Sequence, residues 1–154
     1  TDGQRLLSEA KQTFLGCIDP DLTGYGCNVR GEARPATTVD VHELLQNATF
    51  KQMFEGQGVP LDALCLSQDQ IEQFVLNHRD HLHPQGYATF FLFKANGKFF
   101  VADVRWHSDR RLKVNVDHFS YAYVWIADIR SRVVLPASPR LQRGEPRLDL
   151  KPST

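Results

Sequence analysis

The sequence predicts an α+β fold, with N-terminal helices packed on one face of an antiparallel β-meander of about five strands. Three observations carry this expectation. Apolar residues recur at helical spacing through the first half of the chain. From Tyr87 the apolar period shortens from about 3.6 residues to about 2. Asn96-Gly97 then supplies the strongest short hairpin signal, because both central turn positions need positive φ. Helices first and strands afterwards argue for α+β rather than an alternating α/β architecture.

The elements follow in order. Asp2 is placed to cap a first helix whose stripe is Leu6, Leu7, Ala10 and Phe14, and Gly16 ends it. Asp19-Pro20, Gly24, Gly26, Gly31 and Pro35 then mark a loop to about Thr37, long enough to be either functional or an ordered surface wrap. Thr37 or Thr38 is expected to cap a short helix carrying Val41, Leu44 and Leu45. A second short helix holds Phe50, Met53 and Phe54 and stops at Gly56. Residues 60–66 read as an apolar connector. Ser67 with Gln70 forms a capping box, opening a helix that shows Ile71, Phe74, Val75 and His78 on one face and ends near His81.

Strands are expected over 87–94, 98–107 and 111–119, with Ser108-Asp109-Arg110 as the second turn. Weaker strand signals cover 123–127 and 132–135. The Asn96-Gly97 turn pairs Phe93 with Phe100, Phe91 with Ala102, Thr89 with Val104 and Tyr87 with Trp106. A three-residue second loop then pairs Trp106 with Leu112, Val104 with Val114 and Ala102 with Val116. A slip of one residue would set Lys113 opposite Val104 and bury an unpaired charge. One face therefore collects Tyr87, Phe91, Phe93, Phe100, Val104, Trp106, Leu112, Val114 and Val116, and the helices are expected there.

The other face is split. Phe90, Leu92, Phe99 and Val101 lie near the Asn-Gly turn; Asp103, Arg105, His107, Arg111, Lys113, Asn115 and Asp117 lie toward the far end. Either this is a binding surface, with Phe90, Phe99, Asp103, Arg105, His107, Lys113 and Asp117 as its residues, or its aromatic half is covered and its polar half solvated. Asp103, Arg105 and His107 on one strand, with Asp117 and Asp109 nearby, are also candidates for acid–base work or for cross-strand charge pairing.

The 154 residues include 18 basic and 18 acidic side chains, 42% hydrophobic residues and 23% charged ones. That balance excludes disordered, collagen-like and coiled-coil classes, and zero net charge argues against nucleic-acid binding through the overall field. A single domain over 1–136 is expected, followed by a basic, proline-containing tail over 137–154. Glu55, Asp62, Asp69, Glu72 and Asp80 against Arg79 make 55–80 acidic; Arg130, Arg132, Arg140, Arg143, Arg147 and Lys151 against Glu145 and Asp149 make 129–154 basic. No apolar stretch of about 18 residues exists to span a membrane. Cys17, Cys27 and Cys65 lack C-x-x-C spacing, which fits buried thiols in the cytoplasm, although a Cys17–Cys27 bridge stays open for an exported chain. The sequence opens on Thr1 rather than methionine, so an upstream tag, leader or domain is expected.

His78, His81 and His83, with Asp80 among them, form the densest set of metal-ligand types and suit zinc or another transition metal. Their H-x-x-H-x-H spacing differs from H-E-x-x-H, and His78 also falls on the helix's apolar stripe, which fits a packed histidine. No nucleophile elbow or phosphate loop is present. Lys98-Phe99-Phe100-Val101 is similar to the aromatic strand of an RNA-recognition sheet but lacks its glycines and β-α-β order.

Gly86-Tyr87-Ala88-Thr89-Phe90-Phe91-Leu92-Phe93-Lys94, Gly97-Lys98-Phe99-Phe100-Val101-Ala102 and Val133-Val134-Leu135-Pro136 resemble small bacterial proteins known as predicted reading frames. Asp19-Pro20 and Pro60-Leu61-Asp62 belong to the same pattern, which covers 19–136. The resemblance implies a bacterial, non-secreted domain and carries no activity, cofactor or site residue. Three functions are thus expected in turn: a module binding a protein partner or a second copy through the mixed sheet face and needing no cofactor; a metal-dependent enzyme at the histidine cluster; or an anion or nucleic-acid binder using the basic tail.

Overall fold

The computed structural model describes residues 1–137 and the backbone of 150–152. The arginines at 140, 143 and 147, on which the basic-tail reading rests, lie outside the described residues. The α+β class holds. The strands are β1 (Cys17–Ile18), β2 (Val39–Leu44), β3 (Thr89–Ala95), β4 (Lys98–Trp106), β5 (Leu112–His118) and β6 (Arg132–Pro136), and a short β7 (Leu150–Pro152) pairs with β2 at one edge. Their order is β1-β5-β4-β3-β6-β2-β7. The helical segments are α1 (Asp21–Gly24), α2 (Phe50–Glu55), α3 (Leu61–Leu64) and α4 (Gln68–Asn77).

The hairpins stand in the expected register. Phe93 pairs with Phe100, Phe91 with Ala102 and Thr89 with Val104. Trp106 pairs with Leu112, Val104 with Val114 and Ala102 with Val116. Asn96 and Gly97 take φ of 51° and 72°, as the turn requires.

The sheet is mixed, which corrects the antiparallel expectation. β1 runs parallel to β5, and β6 runs parallel to β3. β5 and β3 share a direction, because both are antiparallel to β4. To lay β6 parallel to β3 on its far side, the chain must travel back along the sheet, and parallel neighbours always need such a crossover. Residues 119–131 make it, over the second face. For this reason 123–127 is not a strand: among the described residues its one sheet-like contact is a single antiparallel bridge between Trp125 and Ala48.

The expected helix around Val41 is instead β2. Val39 and Val41 alternate onto the first-face core and Leu44 onto the second, and the strand covers the open edge of β6. Residues 2–14 form no helix beyond one 3-10 turn, Leu7–Glu9. An α-helix would join the Gly3 carbonyl to the Leu7 N–H. Here Gly31 N–H donates to the Gly3 carbonyl, and Leu7 N–H donates to Gln68 Oε1 of α4. The predicted stripe is nonetheless buried: Leu6, Leu7, Ala10 and Phe14 all sit in the core. α4 keeps its Ser67/Gln70 capping box but stops at Asn77 rather than His81.

Helices cover both faces, not one. Phe74, Ile71 and Val75 of α4, with the N-terminal segment, pack on Phe91, Phe93, Phe100, Val104, Val114 and Val116. On the opposite side α2 and α3 bring Phe50, Met53, Phe54 and Leu64 onto Phe90, Leu92, Val101, Val133 and Leu135. Phe90 is fully buried and Phe99 is half-buried against Phe119. The aromatic half of the second face is thus largely core: Phe90 offers no surface to a partner, and Phe99 keeps only part of its ring exposed. The three cysteines are free, so no Cys17–Cys27 bridge forms. Among the described residues no helix is long and apolar enough to cross a membrane.

Candidate functional site: a cleft under the crossover

Side chains alternate along strands, so β4 sends Asp103 and Arg105 to the second face and β5 sends Lys113, Asn115 and Asp117. α2 and α3 stop short of this end of the sheet. The crossover roofs it instead. Tyr121, Tyr123 and Trp125 follow at the i, i+2 spacing of extended backbone. The rings of Tyr121 and Tyr123 stack at 5.9 Å, and Tyr123 meets Trp125 edge-on at 4.7 Å. Trp125 is anchored in the core against Phe90 and Phe50.

Between roof and sheet lies a cleft of about 500 Å³. Asp103, Arg105, Asn115 and Asp117 line it from the sheet, Asp19 and Asp21 from the β1–α1 turn, and Tyr121, Tyr123 and Trp125 from the crossover. Arg105 donates three hydrogen bonds of 2.8, 2.9 and 3.1 Å to Asp103, and its guanidinium lies 5.8 Å over the Trp125 ring. Burial pushes the Asp103 carboxyl up, while Arg105 and Lys113 pull it back. Asp19 accepts from Val116 N–H and from Asp21 N–H. Asp117 is pushed up to about 6, first by burial and then by the charges of Asp103 and Asp19. Four carboxyl groups therefore share the cleft with one guanidinium that is already committed.

Of the predicted surface residues, the fold brings Asp103, Arg105 and Asp117 together. Lys113 is not among the lining residues and acts on Asp103 through its charge. His107 does not line the cleft: of the carboxylates considered with it, it pairs with Asp109, at 3.2 Å, in the exposed hairpin. Asp19, Asp21, Tyr121 and Tyr123 complete the site and were not singled out from sequence. The alternation Tyr121-x-Tyr123-x-Trp125 is the available signal, and only its part within 123–127 enters the sequence reading, as a strand.

The histidine cluster is not assembled either. His78 is exposed, with its ring 5.4 Å from that of Phe74 on the helix's apolar stripe and 5.8 Å from that of His81. His83 is buried elsewhere: its Nδ1 accepts from Gln85 N–H and its ring sits edge-on to Tyr87. Burial, then the charge of Arg132, lowers its pKa. Among the described residues no group of three or more His, Cys, Asp or Glu side chains is placed to hold a metal. Cys27 and Cys65 are unsuited to nucleophilic work, since burial pushes both thiols up to about 12.

No protein-family model matches the chain, and no curated protein or solved structure matches it significantly.

Proposed function

We propose that the protein is a binding module that receives a partner protein at this cleft. One observation carries the reading: the cleft coincides with a dense run of exposed apolar side chains. Tyr121, Tyr123, Val124 and Ile126 are 48, 47, 50 and 50% exposed within six residues, and Tyr87 borders the same opening. Rings and aliphatic groups gathered around a polar hollow are the composition of an interface centre, where Tyr, Trp and Arg dominate affinity. The floor is pre-organised, because the Asp103–Arg105 pair is fixed before any partner arrives. The three free thiols support a reducing compartment such as the cytoplasm.

Random peptides displayed on phage and selected on the whole protein test this reading. Selected sequences should lose roughly tenfold or more in affinity when Tyr123→Asp and Ile126→Asp are introduced together, as truncation of interface anchors does. Peptides that bind the variant as tightly as the parent, or a failure to enrich any sequence, would overturn it.

A further inference from the structure

Resting on that reading, we infer that the partner segment is an extended peptide that pairs its backbone along 121–124 and places one lysine or arginine head group in the cleft beside Asp117, Asp19 and Asp21. Two independent features point there. The first is the crossover's backbone. Trp125 exchanges both of its hydrogen bonds with Ala48, but the N–H groups of Ala122, Tyr123 and Val124 donate to no acceptor among the described residues. All three residues are exposed. An extended, unpaired and accessible stretch is what a strand from another chain adds to, main chain supplying affinity and alternate side chains specificity.

The second feature is charge. The one cation that lines the cleft among the described residues, Arg105, is neutralised by Asp103 through three hydrogen bonds, whereas Asp117 receives no hydrogen bond from any described residue. Asp19 and Asp21 add like charge from the adjoining turn. An acidic hollow of this kind excludes anionic partners and favours a cation, which also relieves the repulsion that Asp103 and Asp19 impose on Asp117. The Tyr121 and Tyr123 faces suit a cationic head group further.

The test uses individual peptides from the selection and the whole protein. Winners should share a Lys or Arg at a fixed position. Changing it to Gln should weaken binding roughly tenfold. Asp117→Asn should weaken the basic peptide by a similar factor and leave the Gln peptide unchanged, so that the two changes are not additive. N-methylation of the peptide backbone beside the basic residue should also abolish binding. Winners without a basic position, N-methylated peptides that bind normally, or an Asp117→Asn protein that binds the basic peptide as the parent does would each overturn the inference. If such peptides still depend on Tyr123 and Ile126, the binding-module reading survives alone. Self-association that Tyr123→Asp abolishes in sedimentation would assign the strap to a second copy, and would overturn the peptide inference too.

Discussion

Asp103 is 2% exposed, yet its carboxyl lies on the floor of a cleft roofed by Tyr121, Tyr123 and Trp125. It is tolerated because Arg105 supplies three short hydrogen bonds and Lys113 adds a second positive charge nearby. Taking Arg105 away strands the carboxylate. Breaking one partner of a buried pair costs about 3–5 kcal/mol, and the quarter-exposed Arg105 side chain places this case near the lower figure. Arg105→Ala should therefore lower the unfolding free energy by about 3 kcal/mol in urea. Replacing both partners with apolar residues of similar size, Asp103→Leu with Arg105→Met, should recover most of that loss, because no charge is then left buried. A single Arg105→Ala variant within about 0.5 kcal/mol of the parent would show that the pair contributes nothing.

At the scale of elements, the N-terminal segment shows what apolar spacing can and cannot tell. The stripe of Leu6, Leu7, Ala10 and Phe14 names buried residues correctly, since burial follows side-chain chemistry. It misnames the secondary structure, since that depends on which partners reach the backbone first. Gln68, Asp69 and Glu72 of α4 take Leu7 N–H, Gly3 N–H and the Thr13 hydroxyl, and no local pattern announces them. Gly3 turns this into a measurement with a sign. In a helix, Gly→Ala would stabilise by about 0.5–1 kcal/mol. Here Gly3 has φ of +77°, and an added Cβ would lie 2.2 Å from the Glu32 carbonyl oxygen. Gly3→Ala should destabilise the protein by about 1–3 kcal/mol, read from thermal or urea melts. The same contrast explains the site. Asp103, Arg105 and Asp117 were legible because strand alternation puts them on one polar face, and register came from Asn96-Gly97 and the cost of burying Lys113. The turn carrying Asp19 and Asp21, and the crossover carrying Tyr121 and Tyr123, reach that face only through pairings distant in sequence, β1 with β5 and β6 with β3.

At the scale of the whole molecule, Asp117 and His83 drive stability in opposite directions with pH. Asp117 is pushed up to about 6 by burial and by Asp103, Asp19 and Asp21, with Arg105 opposing. Its folded value exceeds its unfolded one, so the stability it contributes is full at acid pH and is lost as pH rises through about 6. His83 has the reverse sign. Its pKa is lowered by burial and by Arg132, so its contribution is present above about 6.5 and falls away on acidification. In the parent these slopes offset one another in mildly acid solution. Asp117→Asn removes one of them. The variant should melt higher than the parent at about pH 7.5, by about 2–4 °C for each kcal/mol relieved, and at the same temperature as the parent at about pH 2.5, where Asp117 is protonated in both folded and unfolded states. The acid-side loss to which His83 contributes should remain in the variant. An identical gain at both pH values would mean that Asp117 ionises without penalty and that the cleft is fully wet. A gain confined to neutral pH, in the variant that also loses the basic peptide, would show one carboxylate lowering the stability of the fold while holding the ligand, the trade expected where a binding site is built at the expense of stability.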